Sequence, residues 1–343
     1  MPLASRLISA LSRRLSDLRD RRRMAGAFRL VHGPGRVTLQ PDQAGLVVLA
    51  RDAAWFLPAF LEHHFGIGVT HIVVVDNGST DRTVEIAAAH DRVTVLQNPL
   101  PAKRHEVRLR AMAAGRVYRG GWTMFADADE MAEAPGGLTP LLRYAEAKGF
   151  TAVVGQMLDL CAPGDQRAMA GVDYPAAIAA CDTYTLEGLT RHPYHDTQGI
   201  GFHWFLRDNL CADPGVRLLS GGLRQAVFGE RPFLSKHTLV RNVPGVQPMT
   251  HPHCAGGVNV ADVTLCLRHY KLAGDWRARD RASVATATWD HAEDARRLQA
   301  AGDTAFVMTP PAPRRWQGTG ALLEEGFLHA SDKARTALGI GAQ

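Results

Sequence analysis

Two short apolar runs, each stopped by acids, limit what this chain can fold into more than any other feature. Ile72-Val73-Val74-Val75 is β-branched throughout and ends in Asp76, followed by the turn residues Asn77-Gly78. Trp122-Thr123-Met124-Phe125-Ala126 follows a Gly pair and ends in Asp127, Asp129 and Glu130. Runs of this length and bounding read as strands buried on both faces of a parallel sheet. Side chains at i and i+2 of an extended segment share a face, so Asp127 and Asp129 are expected to aim two carboxylates at one point. That point lies past the carboxyl end of a strand, where open α/β sheets bind ligands.

Two adjacent carboxylates repel, and each shifts toward its protonated form. A hard divalent cation removes the conflict. Mg²⁺ or Mn²⁺ takes one or two protein carboxylates and completes its shell with water and phosphate oxygens. An Asp-rich turn that caps the following helix is the other reading of Asp-x-Asp. The strand before it, and the second acidic strand end at Asp76, favour the metal.

Val74-Val75-Asp76-Asn77-Gly78-Ser79-Thr80-Asp81, about fifty residues ahead of Phe125-Ala126-Asp127-Ala128-Asp129-Glu130, resembles the family 2 nucleotide-sugar glycosyltransferases of the GT-A fold. The resemblance is closest to the branch with Asp-x-Asp-Glu and a late Leu-x-His-Tyr/Phe-Lys element, here Leu267-Arg268-His269-Tyr270-Lys271, and covers roughly residues 45–275. It implies that Asp76 contacts the nucleotide and that Asp127 and Asp129 hold a metal and the donor's diphosphate. Many GT-A enzymes add a histidine from a late strand, for which His269 comes first, His253 second and His251 third. Arg51 at the end of Gly45–Ala50, Arg224 in Ser220-Gly221-Gly222-Leu223-Arg224, and Lys271 fall where donor contacts belong. Arg51-Asp52 departs from the family's usual Lys-Asn-Glu, so Arg51 is equally a solvated charge.

The alternation of strands and helices up to Asp127 is the doubly wound pattern. Helices are expected after each strand, one carrying Val107, Ala111, Ala114 and Tyr118 on its inner stripe, and another at Leu138–Ala147. A strand is expected at Ala152–Val154, others near Thr238–Arg241 and Val263–Leu267, and a charged helix from Asp275 toward Ala300. Between Gly155 and Glu230 the periodicity weakens, and Tyr184, Tyr194, Phe202 and Trp204 are available to stack on sugar rings or to fill a core. The expected fold class is therefore α/β, a GT-A type, mostly parallel, doubly wound sheet with a C-terminal acceptor-side region and a helical extension. Its parts are a basic amphipathic segment over 1–40, a transferase domain over 41–275 (nucleotide half 45–155, acceptor half 156–275) and a helical extension over 276–343.

The charge is confined to one end. Residues 1–24 hold seven Arg against two Asp, which equals the formal +5 of the whole chain and leaves the rest neutral. A nucleic-acid binder spreads its basic residues over the folded domain, so none is expected as a partner. Leu7, Ile8, Leu11, Leu15 and Leu18 alternate with those arginines at helical spacing, a pattern that can lie on an anionic membrane or pack as a flap. No apolar run reaches the ~18 residues of a span. Five dispersed cysteines point to a reduced, cytoplasmic compartment. His251-Pro252-His253-Cys254 lacks a second cluster at zinc-finger spacing.

These observations lead to one expected function. A metal-dependent transferase using Mn²⁺ or Mg²⁺ moves a sugar from a nucleotide-diphosphate donor, UDP-linked first, to a hydroxyl of a glycan or lipid-linked acceptor, with inversion. Asp196 and Asp208 lie in the interval where the family places its catalytic base. Two rivals are a sugar nucleotidyltransferase and a non-catalytic glycan-binding scaffold. The first wants a Gly-rich loop after the first strand, and Ala50-Arg51-Asp52-Ala53-Ala54 has no glycine. The second would be expected to have lost acids at one strand end, and both are intact.

Overall fold

The computed structural model describes residues 19–20, 22–286, 293–302 and 305–341. The amphipathic pattern of residues 1–24 falls largely outside them. Among the described residues a nine-stranded sheet forms the centre. Its strands are β1 (Arg29–His32), β2 (Ala44–Ala50), β3 (His71–Asp76), β4 (Val93–Gln97), β5 (Trp122–Phe125), β6 (Glu130–Glu133), β7 (Ala152–Asp159), β8 (Ser235–Arg241) and β9 (Leu265–His269), in spatial order β1-β4-β3-β2-β5-β8-β7-β9-β6. β4, β3, β2 and β5 are parallel neighbours, as are β7 and β9. β8 runs antiparallel between β5 and β7, and β1 and β6 run antiparallel at the two edges. The class is thus mixed α/β on a large, mostly parallel sheet.

Both faces are covered, which explains the continuous apolar runs. Leu46, Val48, Ile72 and Val74 belong to one core with Leu57, Phe60 and Leu61 of α1 (Leu57–Gly66). The alternate residues Val47, Val73, Val75 and Phe125 belong to the other, with Leu109, Ala113 and Val117 of α3 (Ala102–Val117). The short α2 (Thr83–Ala88) follows β3. A period of two places successive side chains on opposite faces, and each face meets a helix layer. At Gly45 an added Cβ would lie 2.3 Å from the Tyr118 ring, whose hydroxyl donates to the Leu46 and His71 carbonyls at 2.8 and 2.9 Å. That approach requires glycine.

Several elements differ from their sequence expectation. The buried stripe of α3 is Leu109, Arg110, Ala113, Ala114 and Val117, while Val107 and Ala111 are only half-buried. The stripe is turned because Arg110 faces the sheet end. β7 runs on to Asp159 instead of stopping at Val154, and β9 extends to His269. The helix expected as Leu138–Ala147 is α4 (Leu138–Lys148), ended by the left-handed Gly149. α5 (Leu223–Phe228) is short, and the charged helix expected from Asp275 is two helices, α6 (Trp276–Thr286) and α7 (Glu293–Ala301). No described helix is long and apolar enough to cross a membrane.

Candidate functional site

Parallel pairing levels the strand ends. Ala50 of β2 lies beside Asp76 of β3, and Asp76 beside Gln97 of β4. The loop leaving β2 is fastened to the loop leaving β3. Asp52, a non-glycine residue with φ of +49°, accepts from the Thr80 backbone N–H at 2.7 Å, and Asp81 accepts from that of Ala54 at 3.0 Å. A left-handed Asp at a strand end is tolerated where side-chain hydrogen bonds hold it, and such backbone gathers at binding sites. Asp76 is 1% exposed, and its two oxygens accept from Ser79 N at 3.0 Å and Gln97 Nε2 at 3.1 Å. Arg51 is half exposed beside Asp52.

The two acids of Asp-x-Asp do not share one extended face. β5 stops at Phe125, residues 127–129 turn, and Glu130 opens β6. The turn is fixed by the Asp127 N–H donating to Glu130 Oε2 at 2.9 Å. It sends the carboxylates to different partners. Asp127 is ion-paired with Arg110 Nη2 and with Lys236 Nζ at 3.2 Å. Lys236 also meets Glu130 at 2.6 and 2.9 Å, and Arg110 meets Glu106 at 3.2 Å. Burial pushes the Asp127 carboxyl up, but the two cations outweigh it and hold it well below the usual range. Glu130, pushed up by burial more than Lys236 lowers it, titrates above its ordinary value.

Asp129 faces His269, with Oδ2 3.6 Å from Nε2. β9 pairs with β7 and β6 so that His269 sits level with Asp159 on one side and Glu130 on the other. Asp159 Oδ1 accepts a hydrogen bond from His269 Nδ1–H at 2.6 Å, and its Oδ2 accepts from Arg224 Nε at 3.0 Å. Burial alone would lower the imidazole, yet Asp129 and Asp159 outweigh it and raise it to about 9.

A divalent cation fits this pair better than it fits Asp127. The 3.6 Å gap is too long for a hydrogen bond. Asp129 Oδ2 and His269 Nε2 are an oxygen and a nitrogen donor of the kind such an ion would take beside phosphate oxygens. A carboxylate behind the other ring nitrogen is the usual support of a metal-binding histidine. Asp127 already has a cation on each oxygen. Among the described residues no group of three or more His, Cys, Asp or Glu converges as a ready-made metal centre, so water and phosphate oxygens would complete the shell.

The remaining candidates are scattered. Arg224 is 4% exposed and faces Asp159, Glu230 and Glu293, inside the protein. Lys271 is part-exposed, 3.6 Å from Asp294. His253 Nδ1–H donates to the Ser235 carbonyl at 2.9 Å, and His251 packs against Phe202 and Phe205. Asp208 is exposed beside Arg207. Asp196 is exposed and lines a cleft of ≈ 440 Å³ with Tyr194, His195, Asp213 and Arg217. Of the four aromatic residues, Tyr184 and Tyr194 are core, Phe202 stacks on Phe233 at 4.1 Å, and Trp204 is 65% exposed.

Sequence reasoning missed Arg110, Lys236 and Asp159. Lys236 gave little signal, lying among Ser235, His237 and Thr238; only its burial in β8 shows that it requires an acid. Asp159 had a signal, as a third strand ending in an acid once the run Met157-Leu158 is joined across Gly155-Gln156.

Residues 60–172, which include Asp76, Asp127, Asp129 and Asp159, match the family model described as Glycosyl transferase family 2. No curated protein matches the chain. A solved structure titled "Crystal Structure of a Mycobacterial Protein" is similar at 19% identity and a TM-score of 0.26, over 37% of this chain and 46% of that one. The chain thus spans less than half of that protein's length. Residues 60–172, about a third of the chain, are thus similar to a glycosyl transferase family 2 domain, and they lie on the mostly parallel half of the sheet.

Proposed function

We propose that the protein is a metal-dependent glycosyltransferase that moves a sugar, with inversion, from a UDP-linked donor to a hydroxyl of a glycan or lipid-linked acceptor. The observation that carries this reading is the Asp129–His269 pair, backed by Asp159, at the sheet end that also holds Asp76. Mn²⁺ or Mg²⁺ bound there would act as a Lewis acid and offset charge developing on the leaving diphosphate. Asp129 and His269 would hold the ion, and imidazole favours Mn²⁺. Asp127 stays ionised because Arg110 and Lys236 flank it. Asp76 would accept from the ribose or the base imide, with Arg51 and Lys271 at the rim of the donor site.

A carboxylate must take the acceptor's proton. Asp196, exposed in a cleft wide enough for a sugar, is the better candidate, and Asp208 the second. All five cysteines are free, which supports a cytoplasmic enzyme. Residues 1–24 would add contact with an anionic membrane surface.

The reading is tested by donor hydrolysis over UDP-, GDP- and dTDP-sugars with Mn²⁺ or with chelator. Turnover of a UDP-sugar that needs the metal is expected; equal rates in chelator would overturn the metal, and a preference for GDP-sugars the nucleotide. Asp76→Asn should weaken UDP binding by about 1.5–3 kcal/mol, the scale of a hydrogen bond to a charged group, or roughly 10- to 100-fold. Calorimetry giving the parental affinity would leave Asp76 as a turn-forming residue that only caps Ser79.

A further inference from the structure

We propose that Asp159 and Arg224 are positioning residues that fix the ring of His269 for metal binding, an inference that rests on the metal reading above. An imidazole binds a metal through a nitrogen lone pair, and its other nitrogen must then carry the proton. Asp159 is an acceptor-only group at Nδ1, 2.6 Å away, so it sets that tautomer and turns Nε2 toward Asp129. A buried carboxylate with one partner could still rotate. Arg224 prevents this by taking the second oxygen through Nε at 3.0 Å.

Arg224 is itself held. Its Nη1 lies 3.6 Å from Glu230 on the loop after α5 and 3.6 Å from Glu293 at the start of α7. Glu230 in turn meets Arg297 of α7 at 2.9 Å. Arg224 is thus turned to three protein carboxylates, Asp159, Glu230 and Glu293, rather than to a donor phosphate. The Gly221-Gly222 turn before α5, with φ of +91° and +68°, delivers Arg224 inward. The element that resembles a donor contact therefore serves the histidine from behind.

The test is direct Mn²⁺ binding to the full chain without donor, followed by electron paramagnetic resonance of the free ion, beside melting curves. Asp159→Ala and Arg224→Met should weaken Mn²⁺ about 10- to 100-fold, the usual effect of removing such a support. Asp159→Asn, which keeps an acceptor, should lose less, and it keeps the test available should Asp159→Ala fail to fold. Arg224→Lys should restore little, because a point charge lacks the planar fork. Leu142→Ala, a core change in α4 remote from the network, should lower the melting point with parental Mn²⁺ affinity. Parental affinity in both Asp159 variants, with affinity lost in His269→Ala, would overturn the positioning role alone. Equal binding by the parent and His269→Ala, or none by either, would overturn the metal reading and this inference with it.

Discussion

Asp129→Asn is expected to abolish divalent-dependent transfer with a smaller loss of stability than Asp127→Asn. Among the described residues its side chain makes one ion pair, at 3.6 Å with His269, and its main-chain carbonyl accepts from the Tyr270 N–H at 2.8 Å. The amide keeps the shape and removes the charge that an ion would need. The expected loss is at least roughly 10³-fold in turnover, or about 4 kcal/mol of transition-state stabilisation, the scale of Lewis-acid assistance to a leaving group. Asp127→Asn should behave differently. It takes the carboxylate from Arg110 and from Lys236, both buried, and so should cost more stability. Steady-state rates over a Mn²⁺ titration, paired with melts of both variants, separate the two acids. Parental turnover and metal dependence in Asp129→Asn would sink its assignment.

That difference between Asp127 and Asp129 shows where sequence reasoning reached and where it stopped. The strands β2, β3 and β5 were legible because burial on both faces makes their interiors nearly all apolar, and the acids at the ends of β3 and β5 stood out against that background. The direction of the carboxylates was not legible. Period-two logic holds only while the backbone stays extended, and the chain turns at 127–129. Arg110 gave no signal, because a charge on a helix usually faces solvent, yet it enters the inner stripe of α3 to reach Asp127. β8 lies between β5 and β7 although more than a hundred residues separate it from β5, and no local pattern specifies such an insertion. The buried cluster of Asp159, Arg224, Glu230, Asp280, Asp294 and Arg297 reads in sequence as six dispersed surface charges. Each pairs with a residue on another element, so only the tertiary fold shows that they are neutralised.

Arg297→Met is expected to destabilise the fold more than any change at the candidate site. The guanidinium is 0% exposed and contacts Asp280 at 2.7 and 2.9 Å, Glu230 at 2.9 Å and Asp294 at 2.6 Å. Methionine fills much of the volume but leaves three buried carboxylates with little compensation. Arg224 stays 3.6 Å from Glu230, and Lys271 3.6 Å from Asp294, while Asp280 loses its only ion pair among the described residues. Breaking a buried pair from one side costs about 3–5 kcal/mol. The cost should depend on pH with a definite sign. Burial already lifts the Asp280 and Glu230 carboxyls above their ordinary values despite Arg297, and removing it lifts them further. A carboxyl whose folded pKa exceeds its unfolded one penalises folding above that folded pKa, and the penalty fades as pH falls toward the unfolded value. The gap between variant and parent in denaturant melts should therefore be wider at pH 8 than at pH 5. A gap of the same size at both pH values would assign the loss to packing of the long side chain rather than to its charge.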